Sequence, residues 1–520
     1  TPMTGSTAKS ALITPKVRPS LNMKPSAMTP AGRLSARTNR AEQSFSYGYD
    51  ALGRVEQVNA PVASENVTYT YNMFNQITSV TSGGETITNS YNALGWLMSQ
   101  TGPDGAVSYQ YDGAGRRERL TWPGADDFYV TYTYDHASRL EEIREMGGTS
   151  GLAVLAHYDY DAQGRLESIL RGNGVRTGMN YDAASRLEEL ATELEGSTPP
   201  EIRSLNFEYN PAGQITERTD TGGSFAFAGH TDQTSIYDHN ALNQIIDITE
   251  SGAVTRTLTP QWTDGNLTSD GERSFGYDPF NRLASVTGGG QSDVDLGYDP
   301  LGRLAELDVT GGLVTRFQYD GAAMIAETDG SGAVMRRYVH GPGLDAPLVR
   351  YDYDGAGALE GRRWLLADER GSIYAHADEA GAIIQINTYD EYGRPGDSNQ
   401  GRFGYTGQIW LAEAGLYQYK ARAYHAELGV FMQSDPIGHS GGINLYAYVG
   451  GDPVNFTDPW GLVAEPGTCD ENGCTAEVPK QRRVSSFWFS GFCHAGGCAN
   501  FANVFTLAPR ARWLKRQRRP

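Results

Sequence analysis

A seven-residue phrase, Tyr-Asp-x-x-Gly-Arg-Leu, recurs along this chain and limits its fold more than any other feature. Copies begin at Tyr49 (YDALGRV), Tyr71, Tyr91, Tyr111, Tyr134, Tyr160 (YDAQGRL), Tyr181 and Tyr209. A degenerate copy at His239 (HNALNQI) is followed by Tyr277, Tyr298 (YDPLGRL) and Tyr319 (YDGAAMI), twelve in all. Most neighbours are 20 to 30 residues apart; His239 and Tyr277 are 38 apart. Each position has a physical task. Tyr ends a strand with a large apolar face and a polar tip. The next Asp or Asn accepts backbone N–H groups two residues on and closes a turn. The fifth position is Gly, Asn or Ser in eleven of the twelve copies, residue types that tolerate the left-handed backbone of a tight hairpin. Leu, Ile or Val at the seventh starts the next strand. One such hairpin cannot bury its own face, so the units must lie side by side in a continuous winding sheet. Repetition also assigns these Tyr, Asp and Arg residues to scaffold, because a reaction site is needed once.

Composition agrees with an all-β chain. Of 520 residues 63 are Gly, and 30 Tyr outnumber 17 Phe. The net charge of −19 excludes nucleic acid and anionic membrane as partners of the main body. Residues 1–41 carry seven basic side chains, no acid, and many Ser, Thr and Pro. Residues 1–44 are therefore read as a disordered basic arm or linker, without the apolar run of a signal peptide. The last 58 residues, 463–520, differ again: nine Lys and Arg against four acids give +5, leaving −24 on the rest.

The C-terminal third holds a second kind of repetition. "SDPIGHSGGINLYAYVGGDPVNFTDPWGL" (Ser434–Leu462) contains two Asp-Pro-x-Gly turns, opened by Asp435 and Asp458, 23 positions apart. Asp452 opens a third Asp-Pro, read as a turn residue. "DYDGAGALEGRR" near Asp352 lacks the third acid and closing Glu of a calcium loop and is read as a hairpin turn. No phosphate-binding loop, His-Glu-x-x-His or Gly-x-Ser-x-Gly is present. No cofactor is expected.

The seven-residue units resemble the YD repeats of Rhs proteins, of the C components of bacterial Tc toxins and of teneurins. "RRYVHGPGLDAPLVRYD" (336–352) and "LLADERGSIYAHADEAGAII" (365–384) are similar to the junction before the Rhs-associated core. "FGYTGQIWLAEAGLYQYKARAYHAELGVFMQSDPIG" (403–438) with "GGINLYAYVGGDPVNFTDPWGL" is similar to that core. The resemblance implies a YD-repeat shell over 45–335, a junction and core autoprotease over 336–462, and a variable cargo over 463–520. It implies hairpins wound into a curved, shell-like superhelical sheet closed at one end by the core. It makes Asp435 and Asp458 an aspartic protease pair, Arg422 in "KARAY" its supporting cation, and Leu462–Val463 the bond cut. His425 stands where the family often has Asp and is read as a surface residue.

The chemistry suits those residue types. Two carboxylates a few ångströms apart cannot both ionise, so the ionised one activates water and the protonated one polarises the carbonyl. A guanidinium holds one ionised or stabilises the oxyanion. An intramolecular cut needed once per chain gains mostly from positioning. The expected partners are the chain's own cut piece, held inside the shell, a secretion or toxin-delivery component and an immunity protein; the expected location is outside an exporting bacterium. The alternative is a non-catalytic structural or adhesion module of the teneurin kind. All four cysteines, Cys469, Cys474, Cys493 and Cys498, fall in the tail as two C-x4-C pairs. Disulfides, a four-thiolate zinc site and free thiols all remain open for them.

Overall fold

In a computed structural model the described residues are 23–466 without 125, 195–200, 231 and 253–254, followed by the backbone of Cys469–Asp470 and Gly473–Cys474. Among them there is no α-helix, only strands and short 3-10 turns.

The repeat builds its hairpin as its residue types require. In the unit at Tyr160, Asp161 Oδ1 accepts the backbone N–H groups of Gln163 and Arg165, both at 2.9 Å. Arg165 Nε donates to Asp161 Oδ2 at 2.7 Å. Gly164 between them has φ +86°. All eleven Gly, Asn and Ser residues at the fifth position have φ between 61° (Asn243) and 86°, the left-handed region. Neighbouring units are stapled twice. The Tyr181 hydroxyl donates to the Leu166 carbonyl of the preceding unit at 2.8 Å, and the Arg165 guanidinium lies 4.4 Å above the Tyr181 ring. The same pair of contacts links Tyr298 to Leu283 and Arg282.

The twelfth unit departs from the pattern. Asp320 pairs directly with Ala323 across a two-residue turn. Its carboxylate is thereby released to the first sheet, where it accepts Arg117 Nη2 at 3.1 Å and the Tyr109 hydroxyl at 3.0 Å.

Eighteen strands, from Met23–Met28 to Ile215–Asp220, form the first large sheet, and thirteen, from Gln261–Thr263 to Ile383–Ile386, the second. Successive strands pair antiparallel with bulges at the repeat tyrosines. Gln233–His239, Ile245–Gly252 and Arg256–Leu258 form a three-stranded sheet between them in sequence. Two boundaries differ from the sequence reading. The arm expected over 1–44 enters the first sheet at Met23, and Leu34–Asn39 continues it. Arg37 over the Phe45 ring and the Tyr49 hydroxyl on the Leu34 carbonyl anchor it, contacts to which average composition is blind. The second sheet crosses the boundary placed at 335/336 without a break. It also contains a unit at Tyr353 (YDGAGAL), whose Asp354 closes a hairpin, as the turn reading of that stretch expects. A further unit follows at Tyr389 (YDEYGRP), past the second sheet's last strand, Ile383–Ile386.

The second sheet is buried on both faces. Against the first sheet it presents Ile325, Val339, Tyr351 and Trp364, packed with Leu120, Trp122 and Leu155. Trp122 Nε1 donates to the Ile325 carbonyl at 3.0 Å and Trp364 Nε1 to the Leu155 carbonyl at 2.9 Å. Its other face carries Tyr338, Leu365 and Ile373, covered by Leu411, Leu416, Ala423 and Met432 of the C-terminal core. That core is built on a four-stranded sheet: Ile409–Leu411, Leu416–Tyr419, Arg422–His425 and Val430–Phe431. Tyr405, Tyr417, Tyr419, Tyr424 and Tyr448 are all fully buried around Phe431 in an aromatic cluster.

Candidate active site

The strands Leu416–Tyr419 and Arg422–His425 join through a two-residue turn, Lys420-Ala421, with Lys420 at φ +59°. This turn grips the second Asp-Pro turn by three consecutive carbonyls. Lys420 Nζ donates to the Pro459 carbonyl at 2.7 Å, Ala421 N–H to Trp460 at 3.3 Å, and Arg422 Nε to Gly461 at 2.5 Å. Gly461 is required there: its φ is +64°, and a Cβ would lie 2.6 Å from the Tyr419 carbonyl.

Arg422 faces both acids. Its Nη2 is 3.2 Å from Asp435 Oδ2 and 3.5 Å from Asp458 Oδ2, and Nη1 donates to the Leu445 carbonyl at 2.9 Å. The guanidinium lies 3.7 Å over the Phe431 ring. Asp435 is held by its own turn: Oδ1 accepts the Ile437 N–H at 2.8 Å, and its backbone N–H donates to the Leu445 carbonyl. Asp458 Oδ1 accepts the N–H groups of Leu462 at 2.8 Å and Val463 at 3.1 Å. The carboxyl group therefore touches the nitrogen of the Leu462–Val463 bond. Gly441 closes the other side. A Cβ on it would meet Asp435 Oδ2 at 2.4 Å and the Leu462 carbonyl oxygen at 2.5 Å, so both oxygens border one small space that a side chain would fill.

Arg422, Asp435 and Asp458 are 3%, 4% and 2% exposed, whereas Val463 is 43% exposed. One guanidinium cannot neutralise two ionised carboxylates, so at this burial one of them keeps its proton. Burial pushes Asp458 up to about 6, against the opposing pull of the Leu462 N–H and Arg422. Burial also raises Asp435 above the usual carboxylate range, opposed chiefly by Arg422. The same desolvation lowers Arg422.

The structure thus brings together Asp435, Asp458, Arg422, Leu462 and Val463. Asp452 caps a turn, accepting the Asn455 N–H at 3.2 Å. His425 is buried, not on the surface; Nε2 lies 3.2 Å from Asp270 Oδ2 and 2.8 Å from Arg273 Nη2, because its strand runs beneath the second sheet's first hairpins. Cys469 and Cys474 are paired backbone positions of two short strands; Cys493 and Cys498 lie outside the described residues. Lys420, Gly441 and Leu445 escaped the sequence reading. All three lie within the quoted motifs, but a carbonyl clamp, a missing Cβ and a backbone carbonyl carry no chemical signature.

Repeated Tyr-Asp hairpins in long antiparallel sheets, covered by an aromatic core, define a YD-repeat shell protein. The teneurin YD-shell family matches residues 31–255 and 175–454, and the chain belongs to it. Double-stranded DNA deaminase toxin A of Burkholderia cenocepacia is 24% identical over 71% of this chain and 25% of its own length. The tRNA3(Ser)-specific nuclease WapA of Bacillus spizizenii is 23% identical over 66% of this chain and 16% of its own. The chain thus spans a quarter or less of these relatives. In fold it is similar to TcdB2-TccC3 without its hypervariable C-terminal region (TM-score 0.63, 18% identity, 83% of this chain and 27% of that one). The Tc holotoxin pore of Photorhabdus luminescens gives a TM-score of 0.66 at 16% identity, over 86% of this chain and 27% of that one.

Proposed function

We propose that this chain is the shell part of an Rhs-type polymorphic toxin and cuts its own backbone between Leu462 and Val463. The observation that carries this reading is the contact of Asp458 Oδ1 with the Val463 nitrogen, beside a second buried acid that borders the Leu462 carbonyl oxygen. Asp435, which borders the Leu462 carbonyl, is the base. It takes a proton from water as the hydroxyl attacks the Leu462 carbonyl carbon. Arg422, bonded to the Gly461 carbonyl and to both acids, fixes the strand and offsets the charge. Asp458 gives its proton to the Val463 nitrogen, and the C–N bond breaks. The amine takes its further proton from the new Leu462 carboxyl group, so one water is consumed, one carboxylate and one ammonium are formed, and Asp435 is left protonated and Asp458 ionised. No cofactor is needed.

The piece freed is 463–520, the cargo enclosed by the shell. Relatives named as a deaminase toxin and a nuclease support a toxin role for the longer protein. Export from a bacterium, a delivery component and an immunity protein belong to this reading. Intact mass under denaturing conditions tests it. The expected result is a 58-residue fragment beginning at Val463, with Asp435→Asn and Asp458→Asn each leaving one full-length chain. A folded wild type that stays whole would return the chain to the non-catalytic structural reading, and a cut at Asp458–Pro459 would be acid-labile Asp-Pro chemistry.

A further inference from the structure

The cut bond is flanked by a piece of β-ladder. Phe456–Thr457, just before Asp458, pairs antiparallel with Glu465–Pro466, just after Val463. The register is Phe456↔Pro466 and Thr457↔Glu465. Opposed residues in an antiparallel pair alternate between exchanging both hydrogen bonds and exchanging none. Pro466 has no N–H, so Thr457↔Glu465 is the bonded pair. Between bond and ladder, Ala464 packs against the aromatic cluster of Tyr405, Tyr419, Tyr424 and Phe431. None of these contacts includes the Leu462–Val463 bond.

We infer that the core is also a binding site for the new N-terminus that the cut creates, and that it holds residues 463–466 of the freed piece as an added strand. The inference rests on the cleavage reading above and deepens it: containment by a wall is joined by a specific anchor. Three interactions hold the anchor. The ladder keeps its backbone bonds. Ala464 keeps its apolar seat. The Val463 nitrogen, already 3.1 Å from Asp458 Oδ1, becomes an ammonium beside a carboxylate that has just given up its proton, a charge-assisted pair stronger than the amide contact it replaces. Strand addition of this kind draws affinity from main-chain bonds and selectivity from side-chain seats. The occupant is thus a free α-amino group followed by a small residue, here Val-Ala-Glu-Pro.

The test uses the full chain after it has cut itself. Denaturing mass spectrometry first establishes the cut. Hydrogen exchange on the native protein then reads the amides of Thr457 and Glu465. Both are expected to exchange at least tenfold more slowly than in a free peptide of the same sequence, since a wall admits water and protects no amide by itself. Glu465→Pro removes the N–H of the bonded pair and Ala464→Asp puts a charge against the aromatic rings. Both variants should still be cut, with the Thr457 amide losing its protection. Peptide-like exchange at Thr457 and Glu465 in cut wild type overturns the anchor while leaving the cleavage reading intact. Unchanged protection in both variants overturns it as well. A chain that never cuts overturns both.

Discussion

Asp435 and Asp458 share one guanidinium at nearly equal distances but not one environment. Burial pushes Asp458 to about 6, and its carboxyl contacts the Val463 nitrogen; Asp435 is also raised by burial and borders the Leu462 carbonyl. On the cleavage reading, this difference in environment sets the pH dependence of the cut. The proton on Asp458 is present below about 6 and lost above it, so the rate falls as pH rises through that value, while loss of the Asp435 base causes a second fall in acid. The two titrations belong to the coupled pair rather than to separate residues. Uncut protein refolded from denaturant into buffers between pH 5 and 8.5 should cut at a rate that falls as pH rises past about 6; a rate still rising at pH 8 would remove Asp458 as the proton donor. The same raised value carries a stability sign. The folded state favours the protonated form, so the charge on Asp458 destabilises increasingly as pH rises through the unfolded value to about 6, and by a constant amount beyond. Arg422→Ala leaves two buried acids without a counter-ion and should abolish cleavage; Arg422→Lys keeps the charge, loses the planar fork, and should retain a slow cut. Full-speed cleavage in a folded Arg422→Ala protein, read by intact mass, would remove this residue from the mechanism.

At the level of the hairpin the sequence was legible because every task in it is local. Tyr, Asp, the left-handed fifth residue and Arg are all within six positions of one another, so the turn and the following strand could be read from one copy. The unit at Tyr319 was read as another copy of the same turn, yet Ala323 in place of Gly converts it to a two-residue turn and gives Asp320 to Arg117, about two hundred residues away. Nothing near Asp320 encodes that exchange. The entry strands from Met23 were missed for a related reason: their Ser, Thr and Arg composition reads as solvated until Phe45 and Tyr49 are placed beside them. Of the candidate site, the residues that the structure brings together, both acids, Arg422, Leu462 and Val463, were named through resemblance, but the backbone clamp at Lys420 was not. The hairpin makes its own prediction. Arg165 bonds Asp161 within its unit and stacks on Tyr181 of the next. Arg165→Ala should cost about 1–2 kcal/mol, from a solvent-screened ion pair of about 0.2–1 and a cation–π contact of about 0.5–1, and Arg165→Lys should recover less than half, because Lys loses the fork. Chemical denaturation of the Asp458→Asn background, where no cut complicates the transition, measures both; equal stability of all three would mean that the stapling carries no energy.

On the scale of the whole described body, the loop that carries Asp458 is tied to both large sheets. Arg218, in the last strand of the first sheet, forms a fork with Glu369 at 2.8 and 3.1 Å. Glu369 lies in the second sheet's Asp368-Glu369-Arg370 turn, and Arg370 Nη1 donates to the Pro453 carbonyl at 3.0 Å. Beside it, the Ile215 N–H donates to Asn455 Oδ1 at 2.7 Å, and Asn455 Nδ2 holds Asp452 at 2.9 Å. First sheet, second sheet and the Pro453–Asp458 loop thus meet at one buried ionic knot, assembled from residues up to 240 positions apart. Glu369 is 4% exposed; burial pushes its carboxyl up, and Arg218 and Arg370 outweigh that and hold it down at about 2. On the cleavage reading, this geometry predicts that the cut depends on completed sheets, because Asn455 of the Asp458 loop is held by the Ile215 N–H at the start of strand Ile215–Asp220. Removing one member of a buried charge network typically costs about 3–5 kcal/mol, because the partners remain buried and unpaired. Glu369→Ala should therefore lower stability by roughly that amount and slow cleavage, although Glu369 touches neither acid nor the scissile bond. Asn455→Ala, which removes its hydrogen bonds to the Ile215 N–H and the Asp452 side chain, together worth about 1–3 kcal/mol, should slow cleavage with a smaller loss of stability. Circular dichroism reports the sheets and intact mass over time reports the cut. If Glu369→Ala and Asn455→Ala both fold with lowered stability yet cut at the wild-type rate, the core is positioned by its own four strands alone, and the two sheets have no hold on the reaction.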